Sequence, residues 1–316
     1  RTERHGWQGR VAVGHLTELA ACDEAEQARI ARRLHTAGIA VITLPATDLY
    51  LMGRRDTRNV RRGLTPVKRL LAAGVTVVMQ PALWPWVLGA VGGNHLLLTA
   101  AVFWPRGRVL GANMNRLPAS AAARGEVGIT FDDGPDPEVT PRVLDLLDRA
   151  GAKATFFCVG EKAAAFPDIL REIARRGHGI ENHSQRHSGA FALYGVFRLR
   201  RDLESVQAVV SGITGEPPRF FRAPVGFRSP LLDPVLAHCG LRYVSWTRRG
   251  LDSVHRDPEK VLRRLLQGLA PGDILLLHDN GAWRTRDGTP VALAVLPMLL
   301  DRIRGSGLKP VTLSAA

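Results

Sequence analysis

Short apolar runs alternate with amphipathic stretches along most of the chain after residue 119. The runs rich in Val, Ile, Leu and Phe predict strands at residues 127–131, 153–159, 178–182, 219–222, 241–246, 273–278 and 309–313. The amphipathic stretches predict helices at residues 139–150, 162–176, 199–211, 231–239, 258–268 and 291–304. Because strands that alternate with helices build parallel sheets, residues 119–316 are predicted to form an α/β domain with a compact (β/α) barrel.

A similar alternation occupies residues 1–80. Val11–Val13, residues 39–44 and residues 75–78 are predicted strands, and residues 23–37 and 65–73 are predicted helices. This pattern predicts a partial βαβ segment that precedes the larger domain.

Residues 81–118 differ in composition from both neighbours. The stretch 83–104 contains no charged side chain, is long enough to span a hydrocarbon core and has tryptophans near both ends. Gly92-Gly93-Asn94-His95 lies in its middle and would be costly in lipid. One interpretation is a membrane anchor or interfacial hairpin, which would give membrane contact through 83–104, and the other is a buried pair of helices. Arg116-Leu117-Pro118 and the small-residue run Ala119–Ala123 are predicted to be a linker.

The composition changes this picture little. The 316-residue chain has a net charge of +14, which raises nucleic acid as a partner. All but five of its 43 basic residues are arginine, however, and no basic stripe is interleaved with aromatic residues. We therefore predict no nucleic-acid partner, although an anionic surface or glycan fits the charge. The three cysteines form no CxxC pair or disulfide framework, and the first residues show no signal-peptide pattern.

Two adjacent carboxylates end the first strand of the larger domain. Asp132 and Asp133 follow the predicted strand 127–131, which begins with the apolar run 127–129, and they precede a Gly-Pro turn. Burial of one carboxylate without a partner costs several kcal/mol, and burial of two side by side costs more. The pair therefore indicates a bound cation or a reaction, with a solvated turn as the alternative.

Histidines follow two other predicted strands. His183 and His187 are four residues apart, a spacing that would place both on one face of a helical turn. Two imidazoles and one carboxylate match a catalytic zinc site with positions left open. His278 follows the apolar run 274–277 at the end of the predicted strand 273–278, where it is placed for proton transfer.

These motifs, together with Arg222-Ala223-Pro224-Val225-Gly226-Phe227, resemble the polysaccharide deacetylase (NodB-homology) family of carbohydrate esterases over about residues 124–315. The resemblance implies a distorted (β/α)7-type barrel. It also implies a hydrolase that removes an N-acetyl group from an amino sugar with a divalent metal ion, for which zinc is expected. Asp133, His183 and His187 would bind the metal.

Other roles carry over to matching positions. Asp132 would be the general base, and Arg222 would hold it in place and charged. The backbone N–H of Val225 would help to stabilise the oxyanion. His278 would protonate the leaving amine, and Asp252 would orient His278.

The sequence departs from the family pattern around the acyl pocket. The family's Asp-Trp pair is Asp252-Ser253 here, and Trp246 is the candidate substitute for the missing aromatic side chain. Val225 stands where many members have an aromatic residue. Arg248 and Arg249 would favour an anionic or lipid-linked glycan, unless they are solvated surface residues. An O-acetyl ester or a formyl amide is an alternative acyl substrate.

Residues 1–80 resemble a different family. His15-Leu16-Thr17 and residues 44–54 are similar to the last third of cytosine deaminase-like amidohydrolases, which are metal-dependent TIM barrels. The His-x-His pair of that family is absent, and Met79-Gln80-Pro81 stands where its last aspartate is expected. The resemblance therefore implies a truncated, inactive segment.

Together, these observations predict that residues 119–316 remove an N-acetyl group from a glycan or glycolipid at a bacterial-type cell envelope or membrane. A non-catalytic glycan-binding module is one alternative, and the intact set of acidic and histidine residues argues against it. A cytosine-type deaminase that acts through residues 1–80 is the other, and the missing metal residues argue against that. The oligomeric state is not indicated.

Overall fold

The computed structural model of this protein describes residues 11–14, 23–37, 39–42 and 84–316. The chain divides into two compact units, residues 1–101 and residues 102–316.

The first unit contains a strand–helix–strand element. Strand β1 (Val11–Gly14) pairs in parallel with strand β2 (Ile39–Ile42), and helix α1 (Glu24–Thr36) connects them. The helix begins where Asp23 accepts a hydrogen bond from the Glu26 N–H at 2.8 Å, as an N-cap residue does. The predicted order of these three elements is confirmed. The predicted helix 65–73 and strand 75–78 lie outside the described residues, as do His15 and residues 79–81.

The apolar stretch forms one continuous helix, α2 (Trp84–Val102). A hairpin or a pair of helices, both considered for this stretch, is therefore wrong. Gly92 and Gly93 do not interrupt the helix, because a glycine in a helix costs only about 1 kcal/mol relative to alanine. As for the membrane anchor, no helix among the described residues combines the length and apolar character needed to cross a bilayer.

The second unit begins before the boundary predicted at residue 119. Met114 forms a parallel bridge with Val244, and the buried guanidinium of Arg228 donates to the Leu110 carbonyl at 3.0 Å. Residues 102–118 are therefore part of this unit. The sequence pattern missed this because a single backbone bridge and a side-chain bond to a backbone carbonyl leave no hydrophobic periodicity. The linker predicted at 116–123 is wrong, because Ala119–Ala123 form a helix within the unit.

The sheet of the second unit is parallel and forms a half-barrel. Its strands are β3 (Glu126–Asp132), β4 (Thr155–Cys158), β5 (Gly179–Asn182), β6 (Phe220–Phe221), β7 (Arg242–Tyr243), β8 (Arg248–Arg249), β9 (Ile274–His278) and β10 (Lys309–Val311). They are ordered β7-β6-β5-β4-β3-β9-β8, with β10 paired to the first residues of β3. The predicted seven strands and the (β/α) barrel are confirmed. The short strand β8 was not predicted, because two arginines give no apolar run.

Helices connect these strands. They are α3 (Ala119–Ala123), α4 (Val139–Arg149), α5 (Gly160–Ala165), α6 (Pro167–Arg175), α7 (Val196–Thr214), α8 (Leu232–His238), α9 (Pro258–Leu266) and α10 (Val291–Gly305). The helix predicted over 162–176 is two helices, because Pro167 lacks the N–H that would continue the first one.

Side chains alternate along β3 between the apolar layer under the helices and the polar interior of the half-barrel. Ile129 and Phe131 belong to the cluster that packs the sheet against its helices, and the Phe131 ring stacks on Phe156 at 5.1 Å. Thr130 and Asp132 point the other way, because side chains alternate across a strand. Both are buried, so the strand delivers a buried carboxylate to its carboxyl end.

Candidate active site

The strand register brings several strand ends together. Asp132, the last residue of β3, is the partner of both Phe157 on β4 and His278 on β9. Asn182 at the end of β5 pairs with Phe221 of β6. Because all these pairs are parallel, the residues that follow the strands emerge at one edge of the sheet, where (β/α) barrels carry their active groups.

Three side chains meet in one cluster at this edge. Asp133 Oδ1 lies 3.2 Å from His183 Nε2 and 3.0 Å from His187 Nε2. Each of the three residues offers one ligand atom, and these atoms lie within 4.8 Å of one another. The cluster could hold a metal ion.

The loop that carries the histidines is not the predicted helical turn. Ser184 and His187 both have positive φ, which α-helices do not contain. Side chains fix the loop instead: Asn182 Oδ1 accepts from the Ser184 N–H at 3.0 Å, and Ser184 Oγ accepts from the His187 N–H at 3.0 Å. The prediction of a shared helical face is wrong, although the two imidazole rings lie only 5.0 Å apart.

The donor set fits a divalent cation. His183 Nδ1 lies 2.9 Å from the Arg222 carbonyl oxygen, which can only accept, so Nδ1 carries the proton and Nε2 of the neutral ring is bare. This bare nitrogen faces Asp133 Oδ1, which is buried and has no hydrogen-bond partner among the described residues. Lone pairs that face each other at such distances repel unless a cation lies between them. Two imidazoles and one carboxylate are ligands that zinc prefers.

The charge of Asp133 agrees with this fit. Burial alone would raise the pKa of Asp133, but the adjacent His183 and the charges of His278 and His187 hold it well below its usual range. The carboxylate therefore stays ionised at neutral pH, the form that binds a cation.

Asp132 is held differently from its neighbour. Its Oδ1 accepts from Arg222 Nη1 at 2.6 Å, while its Oδ2 lies 3.8 Å from His183 Nε2. Arg222 is fully buried and also donates to Thr130 Oγ1 at 2.8 Å and to the Ser245 carbonyl at 3.0 Å. One oxygen of Asp132 is thus fixed by a buried ion pair, and the other lies toward the three-residue cluster.

His278 and Asp252 form a second buried pair. Asp252 accepts from the backbone N–H of His278 at 2.8 Å and lies 2.8 Å from its Nδ1. Burial lowers the pKa of His278, but the charge and hydrogen bond of Asp252, with the charges of Asp132 and Asp133, raise it to about 9. At neutral pH the imidazole is protonated, and Nε2 is left to serve as a proton donor.

A pocket of about 210 Å³ joins these groups. It is lined by Asp132, Asp133, His183, His187, Val225, Gly226, Trp246, Arg249, Ser253, Leu276 and His278. Val225 and Trp246, both predicted from the sequence, thus line the pocket. Arg222 and Asp252 do not line it, but they bond to the lining residues Asp132 and His278. Gly226 has a φ of 85°, and a Cβ there would lie 2.7 Å from the Trp246 ring, so this turn requires glycine.

Two residues that position the Asp133 loop were not assigned from the sequence. Lys162 Nζ donates to the Asp133 carbonyl at 2.7 Å. Asp279 accepts from Thr140 Oγ1 at 2.6 Å and lies so close to Gly134 that a Cβ there would overlap its carboxylate. Burial raises the pKa of Asp279 to about 7. The position of Asp279 after an apolar strand could have indicated a place near the site, whereas nothing in the sequence around Lys162 indicated its contact with Asp133.

Known proteins share this fold and these sequence features. The polysaccharide deacetylase family model matches residues 119–244. A chitooligosaccharide deacetylase from Azorhizobium caulinodans is 34% identical over 197 residues, which cover 60% of this chain and 93% of the relative. The structure of a peptidoglycan N-acetylglucosamine deacetylase is 28% identical, has a TM-score of 0.58 and covers 64% of this chain and 91% of its own.

One structural neighbour shows that this fold alone does not establish an enzymatic activity. A CE4 family pseudoenzyme from Bacillus anthracis has a TM-score of 0.58 and 21% identity over 65% of this chain and 68% of its own. At this identity the likeness concerns the fold. The activity must therefore be argued from the side chains of the pocket.

Proposed function

This chain belongs to the polysaccharide deacetylase family, and we propose that it removes N-acetyl groups from amino sugars of a glycan with a bound divalent cation. The observation that carries this proposal is the convergence of the Asp133–His183–His187 cluster, the Asp132 carboxylate and the protonated His278 in one pocket. Amide hydrolysis needs an activated water, a stabilised oxyanion and a proton for the leaving amine, and this pocket contains a candidate for each.

The cation site would supply a Lewis acid. Asp133, His183 and His187 would hold the ion, for which we propose zinc. A divalent cation there supplies Lewis acidity, which polarises a carbonyl and makes water more acidic. Three protein ligands leave positions open, as catalytic sites require.

Asp132 is the base of the proposed reaction. Its Oδ2 lies toward the cluster and can accept a proton from a water molecule, while the ion pair with Arg222 fixes the carboxylate through Oδ1. Arg222 is buried and bonded to three acceptors, which hold its guanidinium beside Asp132.

His278 is the proposed acid. An amine leaves an amide only when its nitrogen is protonated, and His278 carries a proton at neutral pH because of Asp252. The wall residue Val225 has a φ of 60° and belongs to the turn Pro224–Gly226. We propose that its backbone N–H donates to the oxyanion that forms from the acetyl carbonyl.

The pH profile tests the role of His278. We expect Asp252→Asn to shift the alkaline limb of kcat/KM to lower pH by roughly one to two units, because the lost charge favoured the imidazolium. The proton donor is lost as the pH rises through its pKa, so a lower pKa moves this loss to lower pH. The measurement is kcat/KM between about pH 6 and 10.

Asp257→Asn is the matched control for this profile. Asp257 is an exposed N-cap of α9, and asparagine caps a helix as well as aspartate does. The control removes the same charge and should leave the alkaline limb in place. If Asp252→Asn also leaves the limb in place, His278 is not the acid.

The substrate class rests on the pocket and the relatives. A volume of about 210 Å³ is below the range of whole-ligand pockets, which favours a small group such as an acetamide at the reaction centre. The relatives act on chitooligosaccharide and on peptidoglycan N-acetylglucosamine by name. We propose an N-acetylated glycan as the substrate, and the cell-envelope location stays a prediction.

The deciding experiment is acetate release from N-acetylglucosamine oligomers by the full chain. We expect release with added zinc, loss with chelator and recovery when zinc is restored. One equivalent of bound metal without acetate release would turn attention to another acyl group or to a glycan-binding role. Failure to bind any divalent metal would overturn the proposal.

A further inference from the structure

The pocket contains a guanidinium without an acidic partner. Arg249 lines the pocket, and its side-chain nitrogens make no hydrogen bond or ion pair with any residue that the structure describes. Its Nε is buried and lacks an acceptor. The Trp246 ring contacts the group from one side, with the Arg249 Cζ 5.3 Å from the ring centroid. A guanidinium in such a cation–π contact is favoured in this position and still free to bind an anion.

Other partly or fully buried arginines of this unit are bonded to acceptors. Arg222 donates to Asp132 and Ser245, and Arg248, the neighbour of Arg249, donates to Asp273 at 2.6 Å. Removal of a guanidinium from water without such acceptors costs free energy. Arg249 therefore differs from these arginines, and its missing acceptors are expected to come from a ligand.

The carboxylates of the site do not neutralise Arg249. Asp132 is paired with Arg222, Asp252 is paired with His278, and Asp133 faces the two histidines of the cation site. Arg249 is therefore an additional positive charge on the pocket wall. Ser253 lines the same pocket and offers a hydroxyl donor.

We propose that Arg249 binds an anionic substituent, a carboxylate or a phosphate, on the sugar that is deacetylated or on its neighbour. This inference rests on the proposed function and narrows its substrate class to acidic N-acetylated glycans. Guanidinium groups bind carboxylate and phosphate through two parallel hydrogen bonds, so the contact selects for charge and for shape.

The test compares oligomers of equal length that are neutral, bear one carboxylate or bear one phosphate. For the full chain with zinc, we expect kcat/KM to be higher for one or both acidic substrates than for the neutral one. Arg249→Gln should lower this acidic-to-neutral ratio by about 10- to 100-fold. Arg249→Lys should keep part of the preference, because it keeps the charge and loses the planar fork.

Arg256→Gln is the matched control. Arg256 also lies over a tryptophan, 4.1 Å from the Trp283 ring centroid, but it is exposed and does not line the pocket. It should leave the ratio unchanged. No acidic preference in the wild type, a ratio unaffected by Arg249→Gln, or an equal loss in Arg256→Gln would each overturn the proposal.

Binding separates this proposal from the proposed function. The affinity of each oligomer is measured by calorimetry on the Asp132→Asn variant and on the same variant with Arg249→Gln. Tighter binding of an acidic oligomer that requires Arg249 supports the anion site even if no acetate is released. Acetate release from all oligomers with equal affinities would uphold the deacetylase and overturn the anion site.

Discussion

His183→Ala is expected to abolish stoichiometric zinc binding and to lower acetate release by about 10³-fold or more. His183 supplies one of only three protein ligands in the Asp133 cluster, and the two that remain cannot enclose a cation. The measurements are zinc content after dialysis, zinc affinity by competition with a chromogenic chelator, and the rate of acetate release.

Two further variants distinguish the loss of a metal ligand from misfolding. His183 is buried, so its truncation also leaves a cavity and an unpaired Arg222 carbonyl. His187 is half-buried, and His187→Ala should lose the metal with less effect on thermal stability. His238→Ala, on the exposed end of α8, should change neither property. A His183→Ala protein that is folded and still binds one zinc would contradict the assigned ligand set.

The sequence was a good guide to the fold where burial is strong. The mostly apolar runs 127–131 and 274–277 predicted two adjacent strands of the sheet, because parallel strands covered on both faces are rich in apolar residues. The polar residues at the ends of such runs pointed to the candidate site, since burial of Asp132 or His278 in the barrel interior costs free energy without a partner.

The sequence was a poor guide where backbone geometry decides. The spacing of His183 and His187 suggested a helical turn, whereas the observed loop uses positive φ values and a capping Ser184. These features depend on hydrogen bonds to specific backbone groups and leave no periodicity. The role of Arg249 was ambiguous for a related reason, because the sequence does not show which of two adjacent arginines faces the pocket.

The two adjacent aspartates provide the sharpest test of the proposed mechanism. We expect Asp132→Asn to keep one bound zinc and to lower kcat by about 10²- to 10⁴-fold, because an amide cannot accept the proton of the attacking water. The introduced amide can still accept the Arg222 hydrogen bond through its side-chain oxygen, so the side chain at position 132 keeps its place in the pocket wall. The measurements are kcat with saturating zinc and the zinc affinity of the folded variant.

Asp133→Asn should behave in the opposite way. It removes the negative ligand of the cluster, so zinc affinity should fall by at least about 100-fold, and added zinc should restore part of the activity. The two variants carry the same chemical change at neighbouring positions, and both remove one charge. Equal loss of zinc in both, or full activity in Asp132→Asn, would contradict the division of roles. That division follows from the end of β3. Asp132 is its last residue and is paired with Arg222, whereas Asp133 follows the strand with a φ of 75° and lies against the two histidines.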